Sequence, residues 1–429
     1  MKINIFWFRR DLRLDDNTAL YNALRKKNVI PIFIFDSSIL KKLEKNDSRI
    51  SFIHSLLIKI NLKLKKHRSS ILSYYGDPLE IWRKIILDYD IECVYWNKDY
   101  EPYAIIRDKK ILNFLNSNGI NVKVYKDQVI FEEFDILKND NKPYTVYTPY
   151  KNKWLHEFNL IRNSALNVNS NELNYSSFLD LNSEIISLNE MGFVQSTIKV
   201  RDFNFEYIKN YDLIRDYPFK DQTSYLSPHL RFGSISIRKC VKLALENNST
   251  FLSELIWREF FMQILFHFPY VIDSCFKIKY EKINWLNDED MYEKWCKGLT
   301  GYPLVDAGMR QLNQTGYMHN RVRMITASFL VKHLLIDWRW GERYFAKKLL
   351  DFELSSNNGN WQWAAGTGCD SAPYFRIFNP IEQLKKFDSK LIYVNQWIND
   401  LNEFSYPNQI IDHKFARQRC LETYKRALT

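Results

Sequence analysis

The chain has 429 residues, 46% of them hydrophobic and 26% charged, which suits a globular protein with more than one core. A net charge of +11 favours an anionic partner, although a composition rich in Lys, Asn and Ile is the plainer source of the same charge. Six scattered cysteines without CxxC spacing, a first strand charged by Arg9, and no long apolar run argue against a metal centre, a signal peptide and a membrane span; they fit a soluble, cytoplasmic chain.

Residues 1–126 alternate short β-rich runs (Ile3–Phe8, Val29–Phe35, Ser70–Ser73, Ile91–Trp96, Asn121–Tyr125) with helical patterns (Thr18–Lys27, Arg49–His67, Pro78–Tyr89, Ala104–Asn118). That alternation predicts an α/β domain with a doubly wound, Rossmann-like parallel sheet. No GxGxxG follows the first strand, which argues against a dinucleotide in the usual pose. Periodicity is poor over 127–200, and the spacing predicts a linker between domains. From 201 to 429 the runs are helical: Ile237–Glu246, Phe251–Phe268, Tyr302–Thr315, Asn320–Trp338 and Gly341–Phe352. The expected organisation is therefore an α/β domain, a linker and a larger all-α domain.

Three stretches carry chemistry. Asn357-Asn358-Gly359-Asn360-Trp361-Gln362-Trp363 and His319-Asn320-Arg321-Val322-Arg323-Met324 mix amides, guanidiniums, a thioether and indoles. Amides and guanidiniums hold polar ring edges, and indoles and thioethers pack on flat apolar faces. Glu254, Trp257 and Arg258 stand at i, i+3 and i+4, as do Asn320, Arg323 and Met324, so each set shares one helix face. A buried ion pair with core packing explains either face alone; all three stretches together point to planar heteroaromatic ligands, a flavin and a nucleobase. The hydroxyl cluster Thr223-Ser224-Tyr225-Leu226-Ser227, ahead of a helical region, suits a phosphate or a simple helix cap. Tyr211, Asp351 and Glu353 read equally well as a core hydroxyl and surface acids.

These stretches, with Phe6-Trp7-Phe8-Arg9-Arg10-Asp11-Leu12-Arg13, Thr300-Gly301-Tyr302-Pro303 and Ala372-Pro373-Tyr374-Phe375-Arg376-Ile377-Phe378-Asn379-Pro380, stand in one order along nearly the whole chain. In that order they resemble the photolyase/cryptochrome family, most nearly its class I cyclobutane pyrimidine dimer branch. The resemblance implies light-driven repair of pyrimidine dimers in DNA, using FAD that is reduced and anionic when active.

Tyr211, Thr223, Ser224, Tyr225, Leu226, Ser227, Arg258, Arg323, Asp351, Phe352, Glu353 and Asn357 would then bind FAD, with Asn357 facing flavin N5. A neutral amide suits an anionic flavin, which a carboxylate would repel. The dimer, flipped from the duplex, would lie against Trp257 and Trp363, touch Met324 and hydrogen-bond to Asn320. Glu254 would donate to a dimer carbonyl, a role that needs the acid form and hence burial. Arg215 and Arg321 would meet DNA phosphates, with Arg258 near the same surface. Trp361, Trp338 and Trp285 match the family's electron relay, for which core packing is the plain alternative.

Tyr317 stands where relatives often have Trp, Glu353 where many have Asp, and Asn360 where Gly is frequent. Tyr103 and Ala104 fall where folate-binding relatives carry Asn-Glu, which argues against folate as a second, antenna chromophore. A deazaflavin, a second flavin or no antenna stay open. A cryptochrome-type light sensor and a (6-4) or DASH-type photolyase are the alternatives; repair is favoured by Asn357, Glu254 and Met324. A monomer without an obligate protein partner is expected.

Overall fold

The computed structural model describes residues 1–166 and 174–428. They form two compact units. The first comprises Met1–Ile136, Asn152–Asp202 and Leu226–Glu246; the second comprises Leu137–Lys151, Phe203–Tyr225 and Asn247–Thr429.

In the first unit, β1 (Ile3–Phe8), β2 (Val29–Asp36), β3 (Leu72–Gly76), β4 (Ile91–Asn97) and β5 (Asn121–Tyr125) form one parallel sheet in the order β3-β2-β1-β4-β5. The order reverses between β1 and β4, the switch point of a doubly wound sheet. Every residue of β1 is buried, because helices cover both faces of the sheet. The two-residue period of the strand divides it between two cores. Phe6 and Phe8 enter one with Leu20, Leu57 and Tyr95; Ile3, Ile5 and Trp7 enter the other with Trp82, Val94 and Trp96.

β3 begins two residues later than the pattern predicted, because Ser70 and Ile71 are used as polar anchors. Ser70 Oγ accepts from Ser183 N at 2.8 Å, and Ile71 N donates to Asn61 Oδ1 at 2.7 Å. After β5 the chain is fixed by Asp127. Its carboxylate takes Arg13 at 2.6 Å and Arg238 at 2.7 Å, and Asp127 is 1% exposed. Burial pushes Asp127 upward, but Arg13 and Arg238 outweigh it and hold the group at about 2.

The expected linker and the expected boundary at 201 both differ from what the chain forms. Tyr147–Leu166 is a 20-residue helix, 152–166 and 174–202 belong to the first unit, and so do residues 226–246 of the helical region. Residues 167–173, inside the expected linker, lie outside the described residues.

The second unit is helical. Helix Asn320–Ser328 does not continue to Trp338: it passes into a π turn, Phe329–His333, and Leu335 takes a left-handed φ of +51°. Asp337 then caps a new helix, Trp338–Lys348, by accepting from Arg339 N. Helix Leu354–Ala365 was not evident from periodicity, since its apolar residues follow no single face. It packs on Trp338–Lys348 at Gly341, where an added Cβ would lie 2.1 Å from the Trp361 ring.

Candidate functional site

Helix Ser249–His267 starts on Asn248, whose Oδ1 accepts from Thr250 N and Phe251 N at 3.0 Å each. This sets Glu254, Trp257 and Arg258 on one side of the helix. The Trp257 ring stacks on Tyr147 with centroids 3.6 Å apart and planes 9° apart, and the Tyr147 hydroxyl donates to Ser253 O at 2.7 Å. Trp257 is thereby held flat and rigid. The expected burial of Glu254 is not met. A third of its side-chain surface is open, and its Oε1 accepts from Arg215 Nη1 at 2.6 Å, a pairing that belongs to the carboxylate.

On helix Asn320–Ser328, His319 is the N-cap, and its Nδ1 accepts from Arg321 N at 3.2 Å. Burial pulls His319 down to about 4, with Asp216 acting the other way, so the ring stays neutral and able to accept. Asn320 is exposed, with its Nδ2 4.0 Å from Met324 Sδ. Arg321 does point away from that pair, as helical geometry requires, but it is not open to solvent as a free cation. Asp216 takes its Nη2 at 2.6 Å, and its guanidinium lies 4.5 Å over the Phe387 ring.

Arg323 is fixed by three bonds: Nε to Met318 O at 2.7 Å, and a two-pronged pair with Asp351 at 3.2 and 2.9 Å. Burial pulls the Arg323 guanidinium down and Asp351 more than restores it. Yet 24% of the Arg323 side-chain surface is open. That open part of the side chain is the surface a ligand edge would meet. Tyr317 is in the same state: burial raises its hydroxyl, the ring is only half-buried, and Arg323 lies 5.6 Å over it. Its hydroxyl donates to Thr223 Oγ1 at 3.2 Å and its ring lies 4.8 Å from Tyr225, which has a φ of +50°. Thr223, Ser224 and Tyr225 are thus brought to the Arg323–Asp351 pair. Leu226 is buried, and the exposed Ser227 opens a short helix of the first unit. Tyr211 packs edge-on against Phe251, with Arg215 5.3 Å over its ring.

The amide stretch divides by helical phase. Asn358 Nδ2 and Gln362 Nε2 both donate to Val271 O, at 2.9 and 3.0 Å, and bolt the helix in place. Asn360 is exposed and bonds its own helix at Ser356 O. Asn357 turns the other way, its Nδ2 donating to Glu342 O at 3.0 Å and Glu342 Oε1 at 2.8 Å. Burial raises Glu342, with the Asn357 hydrogen bond opposing. Glu353 accepts from Arg258 Nη2 at 3.1 Å and from Ser356 Oγ at 3.2 Å, joining the Asn357 and Glu254 helices. The longer carboxylate is therefore used in a helix–helix ion pair. Phe352 and Trp363 are half-buried against the helical core.

Trp361 and Trp338 are buried, and Trp285 is partly exposed. Gly341, one turn beyond Trp338, sets that helix against the Trp361 ring. The chain at Leu286 and Asn287 is bonded to Leu335 and Asp337, beside Trp338. Among other ring neighbours, Trp361 lies 6.2 Å from Trp295, and Trp285 lies 6.0 Å from Tyr424.

In the first unit, Tyr103 donates to Asp36 Oδ2 at 2.7 Å, and Ala104 is buried on the inner side of helix Pro102–Ser117. Neither can supply a pterin-gripping carboxylate.

Sequence reasoning missed Tyr147, Asp216 and Glu342. Tyr147 lay in the expected linker. Asp216 and Glu342 carried only the weak signal of a lone acid one residue from a singled-out Arg, or in a helix expected to start at Gly341.

Two family patterns match the chain: DNA photolyase over residues 4–169, and the FAD binding domain of DNA photolyase over residues 251–405. A deoxyribodipyrimidine photo-lyase from a Synechococcus strain is 33% identical over 98% of this chain and 96% of its own. A solved bacterial class III photolyase from Agrobacterium tumefaciens superposes with a TM-score of 0.85 at 32% identity, covering 100% of this chain and 98% of that one. An archaeal photolyase from Sulfolobus tokodaii, solved with two FAD molecules, gives 0.81 at 32% identity over 99% of both chains. The chain belongs to the DNA photolyase family. It is a flavoprotein lyase by membership, and its C-terminal part is that family's FAD-binding domain.

Proposed function

We propose that this chain splits cyclobutane pyrimidine dimers in DNA under blue light, with FAD as its cofactor. The observation that carries this reading is the partly open Arg323–Asp351 pair, held from helix Asn320–Ser328, which packs on the helix that presents Asn357, itself packed on the helix that presents the stacked Trp257. FAD bound there, reduced and anionic, supplies the light-driven electron chemistry that opens the cyclobutane ring.

The side chains do the rest. Thr223, Ser224, Tyr225 and Tyr211 hold the phosphates and sugar. Arg323 and Asp351 grip the flavin's polar edge with Phe352 beside it, and Arg258 fixes Glu353 near that edge. Asn357 has its Nδ2 committed to Glu342, so its carbonyl oxygen is the group that would face the flavin, and it carries no carboxylic proton.

Trp257 and Trp363 form the apolar wall for a flipped dimer, which Met324 and Asn320 complete. Glu254 reaches the dimer carbonyls only by parting from Arg215, which then neighbours the DNA with Arg321 and Arg258. Trp361, Trp338 and Trp285 pass electrons inward from the surface.

No helix among the described residues is long and apolar enough to cross a membrane. The reading places a monomer without an obligate protein partner in the cytoplasm. Residues 1–136 fall in its antenna-type domain and residues 247–429 in its FAD- and DNA-binding domain, and any antenna chromophore is one other than folate. A binding assay tests the reading. In the dark the FAD-loaded protein retains a duplex with one thymine dimer far better than the same duplex without it, and blue light releases the retained duplex. Equal affinity for the two duplexes contradicts it.

A further inference from the structure

Arg215 and Asp216 are neighbours in the tight turn that ends helix Tyr211–Ile214, with Arg215 N bonded to Tyr211 O at 2.9 Å and Pro218 close behind. Each reaches a different helix: Arg215 pairs with Glu254 at 2.6 Å, and Asp216 pairs with Arg321 at 2.6 Å. One dipeptide therefore links the residue that meets the lesion to the residue that meets a phosphate. Both ion pairs must open for those two contacts to form, because each pair occupies the group the contact needs.

We infer that Asp216 is a specificity-determining residue, an electrostatic latch on Arg321 that a dimer opens and undamaged DNA does not. This rests on the reading of Glu254 and Arg321 given above. A flipped dimer engages Glu254 and displaces Arg215. The turn is short, so Arg215, once displaced, lies beside Asp216 and takes up its charge in place of Arg321, which is freed for a phosphate. Undamaged DNA brings no group to Glu254, and its phosphate must displace Asp216 unaided. A ligand shifts such a latch only through its differential interaction with the two states, and the base edge of the dimer supplies that difference. Phe387, under the Arg321 guanidinium, keeps the released side chain from collapsing elsewhere.

The test is equilibrium binding of FAD-loaded protein, in the dark, to a duplex with one thymine dimer and to its intact counterpart across a range of salt. Asp216→Asn tightens the intact duplex about fivefold, the scale of one partly exposed ion pair. It tightens the dimer duplex less, so discrimination falls. Arg321→Ala weakens both duplexes and flattens the salt dependence by about one counterion. On the Arg321→Ala background the effect of Asp216→Asn vanishes. Weakening of both duplexes by Asp216→Asn, or equal tightening of both, overturns the latch while leaving the phosphate contact standing. Unchanged binding by Arg321→Ala removes the contact itself, and the reading beneath the latch with it. Retained FAD in each variant shows that the fold is intact.

Discussion

At the scale of single residues, the ion pair of Glu254 with Arg215 and the stack of Trp257 on Tyr147 set the state of the site at rest. The spacing of Glu254, Trp257 and Arg258 placed all three on one helix side, which is where they stand. Their neighbours could not be read, because Arg215, Glu353 and Tyr147 come from segments 39, 95 and 110 residues away in the chain. The ion pair with Arg215 is the consequential one. In the proposed reading, Glu254 meets the dimer only after an exchange of partners. Glu254→Ala should leave FAD bound and slow splitting of bound dimer severalfold; unchanged repair per absorbed photon removes its role. Trp361→Phe should abolish photoreduction of oxidised FAD and spare repair by protein reduced beforehand. Normal photoreduction in that variant, followed by flavin absorbance under blue light, excludes the relay.

At the scale of elements, strong periodicity was reliable and amide-rich or mixed helices were not. β1 shows why: its alternate apolar residues feed two cores, so the strand reads as an apolar run broken only at Asn4 and bounded by charge. Helix Leu354–Ala365 shows the converse. Asn358 and Gln362 are buried because they bolt the helix to Val271, and a pattern that counts only apolar residues cannot see a polar face that is buried. The helix after Asn320 was overextended because the break at Leu335 carries no Gly or Pro.

The Asp127 knot yields a stability prediction of its own. Asp127→Ala leaves Arg13 and Arg238 buried without their shared carboxylate and should cost about 3–5 kcal/mol in denaturant unfolding of the first unit. The wild-type group, held at about 2, contributes stability that is fully present above an unfolded value of about 3.9 and is lost as the pH falls through about 2. Acid unfolding of the variant should therefore lack that component. An acid transition of the same shape in both proteins contradicts the assignment.

For the whole molecule, the two-part plan was legible but its boundary was not. The alternation of strands and helices ends near 126, while the first unit also takes in 152–202 and 226–246, which return to it after the chain has visited the second unit. Local pattern carries no trace of such a return. Function was legible because it is written in short strings of uncommon residues whose spacing sets their side chains on one helix face.

The central claim is that a dimer bound at Trp257 and Asn320 is split by light through reduced FAD. The most direct measurement is repair of an oligonucleotide carrying one cyclobutane thymine dimer, by reduced FAD-loaded protein without oxygen, under blue light and in the dark. The account predicts intact thymines in the light and none in the dark. An unrepaired dimer with fully reduced protein would contradict it and point to a light sensor, or to a (6-4) lesion as the substrate.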